Sequence, residues 1–311
     1  MIKTKNHITQ VIHDDCLNAL KDIASNSVDL CIADPPYWKV IGEKWDYQWR
    51  TEEDYLKWCE PWLREIGRTL RYGGSFYLFG YFRTLALLVP YLKNIGFDLR
   101  QQIIINKGIR SVSGRATKKY RMFPNVTESL LFLTKDNIQY SRQLLKARQK
   151  ELKLTSKEIN EALGVKSNGG GMWSIYTGKN VCEQFPTEKL WNKLSNILRF
   201  EYPYNKLAQT FNPQMGYTDV WTDIDFYKEK HLHPTQKPLK LISRLIMASS
   251  NEGDIVLDPF SGSGSTQIGC IRLNRHYIGI ELDENYYNIS IERIKREKNI
   301  NSLFDNDSFD E

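Results

Sequence analysis

Two short stretches of the chain hold side chains whose types and spacing suit chemistry. The first is "DPPY", residues 34 to 37, which follows the apolar run "VDLCIA". Asp34 supplies a carboxylate where a strand should end. Pro35 and Pro36 stiffen the turn and remove two backbone donors, so the carbonyls there act only as acceptors. A carboxylate beside the fixed Pro35 carbonyl makes two acceptors, a match for the two hydrogens of an exocyclic amine, and the Tyr37 ring offers a flat face to the base carrying it. The plain alternative is a strand ended by prolines and capped by an acid.

The second is "VLDPFSGSGST", residues 256 to 266, an apolar run leading through small residues into a helical pattern. Gly262 and Gly264 let the backbone approach a ligand, and the helix that follows presents free N–H groups. The lysine of a nucleotide P-loop is absent, and so is the third glycine of a nicotinamide fingerprint. Glu281 closes "YIGIE", 23 residues beyond Asp258, where an acid can accept bonds from both hydroxyls of a ribose. The spacing points to a nucleoside cofactor.

These residues must be held by a scaffold, and the pattern supplies one. Apolar runs at 8–15, 28–34, 74–80, 100–106, 128–134, 254–260 and 277–283 read as buried strands. Helix-period stretches lie at 16–24, 52–70, 81–94, 237–250, 264–273 and 284–297, the second with Tyr55, Trp58, Trp62, Ile66 and Leu70 on one stripe. The alternation predicts an α/β fold, a doubly wound Rossmann-like sheet with helices on both faces and ligands at the carboxyl edge of its strands, where Asp34 emerges. It stops near residue 140 and resumes near 233, leaving room for an inserted helical module.

Composition narrows the class of function. The 311 residues carry a formal charge of +6, but between Arg100 and Asn160 fourteen Lys and Arg face four Asp and Glu, a clustering that suits a polyanion as partner. The five cysteines are scattered without a C-x-x-C pair, so neither a disulfide framework nor a metal cluster is expected. No apolar run approaches the ~20 residues that cross a bilayer, and the first residues lack a signal-peptide core; a cytoplasmic protein without a membrane partner is expected.

"DPPY" together with "DPFSGSGST" resembles the catalytic and cofactor motifs of the S-adenosylmethionine-dependent amino-methyltransferases of DNA. The order, catalytic motif first and glycines late, is similar to the circularly permuted β class. "VIHDDCLNALKDIASNSVDLCIADPPY", "NVTESLLFLTK" (125–135) and "HPTQKP" (233–238) are similar to further segments of that class. The resemblance implies S-adenosyl-L-methionine as cofactor. Asp258, Phe260, Ser261, Gly262, Gly264, Ser265 and Thr266 would wrap its methionine and ribose part, and Glu281 would take the ribose hydroxyls. Lys237 would sit near its carboxylate, Asp15 and Cys16 near its adenine, and Asp34 would border both cofactor and substrate. Asn106 departs from the pattern, standing where relatives often carry a tryptophan.

The implied substrate is double-stranded DNA, with a base flipped into the pocket and its amine held by Asp34, Pro35, Pro36 and Tyr37. Asp at the first motif position favours adenine N6 over cytosine N4. Carbon methylation is set aside because no cysteine follows a proline. The aromatics of "WKVIGEKWDYQW" are either a lid over the base or packing for the next helix. Residues 144 to 198 resemble a repressor helix-turn-helix, with Lys166, Ser167, Asn168, Ser174 and Lys179 facing DNA from the turn and third helix. A basic span, 110–125, adds Arg115, Lys118, Lys119 and Arg121 as phosphate contacts. The expected organisation is thus a catalytic part (1–139), a recognition insert (140–205), a cofactor part (206–297) and a frayed acidic tail (298–311). A homodimer and a cognate restriction endonuclease stay open as partners, and an inactive helix-turn-helix regulator is the alternative from another class.

Overall fold

The computed structural model describes residues 9–38, 48–112, 123–164, 171–178, 184–229 and 236–306. Its strands are β1 (Gln10–His13), β2 (Val28–Ala33), β3 (Leu70–Gly80), β4 (Phe97–Asn106), β5 (Thr127–Lys135), β6 (Val220–Trp221), β7 (Ile255–Asp258) and β8 (His276–Glu281). Its helices are α1 (Cys16–Asp22), α2 (Glu52–Thr69), α3 (Phe82–Asn94), α4 (Ile138–Glu151), α5 (Ser156–Leu163), α6 (Gly171–Thr177), α7 (Glu188–Leu198), α8 (Leu239–Ser249), α9 (Ser265–Arg272) and α10 (Glu284–Asn306). The strands form one sheet in the order β1-β8-β7-β2-β3-β5-β4-β6. Every neighbouring pair is parallel except those made by β5, which runs against both β3 and β4.

Both faces of this sheet are covered, which is why its central strands are apolar throughout instead of alternating with polar residues. Side chains still alternate in direction. Cys31 and Ala33 of β2, Phe76 and Leu78 of β3, and Leu131 and Leu133 of β5 face α1, α2 and α3. Leu30 and Ile32, Tyr77 and Phe79, and Leu130 and Phe132 face the other way, toward α8, α9 and α10. Helix α2 begins at a capping box in which Thr51 Oγ accepts from the Asp54 N–H and Asp54 accepts from that of Thr51. It buries Tyr55, Cys59, Trp62, Leu63 and Ile66. Leu70, read from the sequence as the end of that stripe, is instead the first residue of β3 and is buried in the same core.

Helices α4 to α7 close on a core of their own, built around Leu145, Ile159, Leu163, Trp173, Trp191, Leu194 and Leu198 with Leu207 from the returning chain. Thr155 caps α5 through a second capping box with Glu158, and Gly164 ends that helix in the left-handed conformation. Because β5 runs opposite to its neighbours, its last residue lies at the edge where the parallel strands begin. The helical cluster therefore hangs from that edge, a strand length of roughly 25 Å from the carboxyl edge. The chain leaves and returns there side by side: Asn137 Nδ2 donates to the Leu207 carbonyl at 2.8 Å. Arg71 fastens the return, donating to Asp29 at 2.7 Å, to the Ala208 carbonyl at 2.9 Å and to Thr210 Oγ1 at 3.1 Å.

Two features differ from the sequence expectation. Strand β6 has two residues, too few to show a period, and gains its place by pairing with Ile104 and Ile105. Helix α10 continues to Asn306, past residue 298 where the acidic composition suggests fraying. Among the described residues no helix is long and apolar enough to cross a membrane, and no cluster of side chains could hold a metal ion.

Candidate active site

Strands β8, β7 and β2 are adjacent and parallel, so their carboxyl ends bring Glu281, Asp258 and Asp34 to one edge of the sheet. A cavity of about 450 Å³ opens there. Asp34, Pro35, Pro36 and Tyr37 form one wall; Asp258, Phe260, Ser261, Ser265, Thr266 and Glu281 form another; Asp15, Cys16 and Lys237 complete it. The two motifs recognised in the sequence, more than two hundred residues apart, thus share one space.

The glycine turn shapes its wall without lining it. Gly262 and Gly264 have φ of 51° and 86°, a region that side-chain-bearing residues enter at a cost. A Cβ on Gly264 would also press to 3.0 Å from Ser290 Cβ of α10. The turn is tied to β8, since the Gly262 N–H donates to Glu281 Oε2 at 2.6 Å and the Asp283 N–H to Oε1 at 2.8 Å. Each of those oxygens keeps a lone pair for a hydroxyl. Two buried hydroxyl oxygens of the same wall, Ser261 Oγ and Ser265 Oγ, have no hydrogen-bond partner. Buried polar atoms are ordinarily satisfied, so a wall with two unspent hydroxyls and a ribose-spaced acid fits a cofactor with a nucleoside and a polar end. Phe260 lies edge-on to Trp62 with ring centroids 5.1 Å apart, and Asp15 caps α1 by accepting the Leu17 N–H at 2.8 Å.

The catalytic turn is held from behind. Tyr55 of α2 donates to the Pro36 carbonyl at 2.9 Å, a support that the sequence gives no means to foresee. In front, the Tyr37 hydroxyl lies 2.8 Å from Asp34 Oδ1 and 2.8 Å from Glu128 Oε1. The Lys237 ammonium lies 2.6 Å from Asp34 Oδ2 and 3.0 Å from Glu128 Oε1, and Lys107 reaches Glu128 Oε2 at 3.1 Å. Lys237, expected near a cofactor carboxylate, therefore spans two protein carboxylates. Asn106 accepts the Gly108 N–H at 2.8 Å and so shapes the turn that carries Lys107.

Burial and charge set the protonation of this cluster. Burial raises the Asp34 carboxyl above its ordinary range; Lys237 opposes the rise and Glu128 adds to it. For Glu128 burial also works upward, but Lys237 and Lys107 outweigh it and hold the group low. Burial would strip Lys237 of its proton, yet the two carboxylates more than reverse that. The Tyr37 hydroxyl is pushed well above its usual value, first by burial and then by the two carboxylates, so it stays a donor. Deeper in, burial lifts Asp258 to about 7 against bonds from Thr266 and the Phe260 N–H. It lifts the Cys16 thiol to about 12, so this cysteine lines the wall as an unionised group.

Of the residues assigned to DNA from the sequence, Arg115, Lys118, Lys119, Arg121, Lys166, Ser167, Asn168 and Lys179 lie outside the described residues. Ser174 is described and requires a correction. It does not face outward: it is buried and its hydroxyl donates to the Gly171 carbonyl at 2.9 Å. The reason is the packing of α6, whose Trp173 and Tyr176 fill the centre of the helical cluster and whose described residues are all buried or half-buried. Of the aromatics proposed as a lid, Trp49 packs against Tyr55 and Trp58 with ring centroids 4.9 and 4.7 Å apart, and Trp38 donates to its carbonyl at 3.1 Å. For these two the packing alternative holds; residues 39 to 47 lie outside the described part. Glu128 and Lys107 were missed. The available signal was an acid at the start of an otherwise apolar strand, "TESLLFLT".

Comparison with known proteins places this geometry. A family model described as "DNA methylase" matches residues 28–292. The chain is 28% identical to DNA adenine methyltransferase YhdJ of Escherichia coli K12, over 93% of this chain and 83% of that one. Among solved structures it is similar in fold to the complex of M1.HpyAVI with SAM, at a TM-score of 0.53 and 21% identity, covering 91% of this chain and 98% of the other. It is similar also to the cytosine-N4-specific PvuII DNA methyltransferase, at a TM-score of 0.56 and 14% identity, covering 93% and 91%.

Proposed function

The chain belongs to the N6/N4 DNA methylase family, which uses S-adenosylmethionine, and from that premise we propose that it methylates the N6 amine of an adenine flipped out of duplex DNA at a defined sequence. The observation that carries the reading is the meeting of Asp34 and the Pro35–Pro36 turn with the glycine wall across one cavity. The adenine assignment draws on Asp at the first motif position and on the named activity of YhdJ. An inactive regulator is disfavoured by the intact constellation.

The cofactor supplies a sulfonium-activated methyl group, so the protein's share of the work is alignment and electrostatics. Glu281 would accept the ribose hydroxyls, Asp15 and Cys16 would border the adenine, and Ser261 and Ser265 would lie beside the polar end. Asp34 and the Pro35 carbonyl accept the two hydrogens of the target amine, which turns its lone pair out of the ring. The raised Asp34 carboxyl is suited to take the proton that the methylated nitrogen must release. Tyr37 presents its ring to the flipped base. The basic span 110–125 connects Asn106 to Thr127, the β4 and β5 ends at the cavity edge, which supports it as the contact to backbone phosphates.

The test is transfer of a labelled methyl group from S-adenosylmethionine to duplex DNA, followed by digestion to nucleosides. N6-methyladenine is expected. N4-methylcytosine would overturn the choice of base, and no labelled nucleoside would overturn the activity.

A further inference from the structure

Glu128 is the one carboxylate of the catalytic cluster to which the reading above gives no task. It is the second residue of β5, its side chain only 6% exposed, and it accepts from the same two donors as Asp34. The Tyr37 hydroxyl has a single proton and two acceptors, Asp34 Oδ1 and Glu128 Oε1, each at 2.8 Å, so it can satisfy only one at a time. The Lys237 ammonium, with three hydrogens, donates to both carboxylates at once, at 2.6 and 3.0 Å. Each bond that these donors make to Asp34 draws charge from the oxygens that must also accept from the target amine.

We infer that Glu128 is a positioning residue for methyl transfer: it competes with Asp34 for the single Tyr37 hydroxyl proton and shares the charge of Lys237, and so keeps Asp34 available and basic toward the amine. The inference rests on the proposed activity. Its second arm is electrostatic. Asp34 and Glu128 face Lys237 and Lys107, two charges against two, in a pocket where Lys237 is as buried as Glu128. Replacing Glu128 by a neutral residue leaves one positive charge in excess, weakens the acceptor that competes for the Tyr37 hydroxyl, and removes the neighbouring negative charge that keeps Asp34 basic.

The full-length protein carrying Glu128→Gln is compared with Glu128→Asp and the wild type for kcat, for KM toward S-adenosylmethionine and duplex DNA, and for the pH dependence of kcat. Glu128→Gln should lose roughly 30- to 100-fold in kcat with KM for the cofactor within about twofold. Activity requires ionised Asp34 and is lost as pH falls through its pKa, so loss of the neighbouring charge should move that limb to lower pH. Glu128→Asp keeps the charge but withdraws the oxygens by one methylene; it should leave the limb in place and lose kcat by several-fold. Should Glu128→Gln fail to fold, judged by loss of cofactor binding, Glu128→Asp alone decides, and its full wild-type kcat would overturn the inference. An unmoved limb with kcat unchanged in Glu128→Gln overturns it too, as does a loss confined to KM for the cofactor. Wild-type protein that methylates no duplex DNA defeats the functional reading instead.

Discussion

Replacing Asp34 by Asn is the sharpest probe of the proposed chemistry, because it preserves shape while removing charge. In the folded protein each oxygen of Asp34 already faces a donor, Tyr37 at 2.8 Å and Lys237 at 2.6 Å. An amide retains one acceptor and sets an NH₂ group against one of those donors or against the incoming amine. The charges left around the target nitrogen are Lys107 and Lys237 against Glu128 alone, a surplus of one positive charge where positive charge must develop. Losing one preorganised electrostatic group costs about 10²- to 10³-fold in kcat, on the order of 3–4 kcal/mol in the barrier, and the unbalanced lysine places the expectation at the upper end. Cofactor affinity should hold, since Ser261, Ser265 and Glu281 lie on the opposite wall. Single-turnover transfer of labelled methyl groups, with calorimetry for cofactor binding, measures both quantities. A variant that turns over within about tenfold of wild type would refute the role of Asp34.

Arg71→Met should cost on the order of 3–5 kcal/mol in a urea titration, because it strands the buried Asp29 charge and frees the Ala208–Thr210 return; a midpoint shift under ~1 kcal/mol would show the pair to be dispensable. Asp258 has a pKa raised from 3.8 to about 7 by burial. Its stabilising effect is therefore present below its unfolded value and is lost as pH rises through 7, on the order of 4 kcal/mol in full. Asp258→Asn should accordingly melt above wild type at pH 8 and converge with it below pH 4; parallel melting curves at all pH would contradict this. Replacing Arg115, Lys118, Lys119 and Arg121 should weaken binding to all duplex sequences and flatten its salt dependence by up to ~0.9 log unit per lost phosphate contact, an effect absent if the span stands clear of the DNA.

What could be read from the sequence was whatever a short window encodes. The strand ends at Asp34, Asp258 and Glu281 were visible because an apolar run stops at an acid, and their convergence follows from the parallel order of β8, β7 and β2. The helix-start signals were equally local, and Thr155 caps α5 as its spacing with Glu158 requires. Glu128 was not legible as a site residue: its partners, Tyr37 and Lys237, are 91 and 109 residues away, and only the antiparallel insertion of β5 beside β3 brings them together. Ser174 failed for the converse reason. A small polar residue on a short helix reads as surface, but its neighbours Trp173 and Tyr176 need the interior of the four-helix cluster and take it inward with them.

The junction at Asn137 and Leu207 has a consequence for how such a protein diversifies. One hydrogen bond spans the two necks of a seventy-residue loop, and both necks stand at the far end of the strands from the reacting atoms. A graft replacing everything between those necks would have to keep an aromatic partner for Tyr72, which stacks on Tyr140 at 4.1 Å, but would leave the cavity at the opposite edge untouched. Exchange of that segment by recombination is thereby a change that the cavity at the opposite edge need not register.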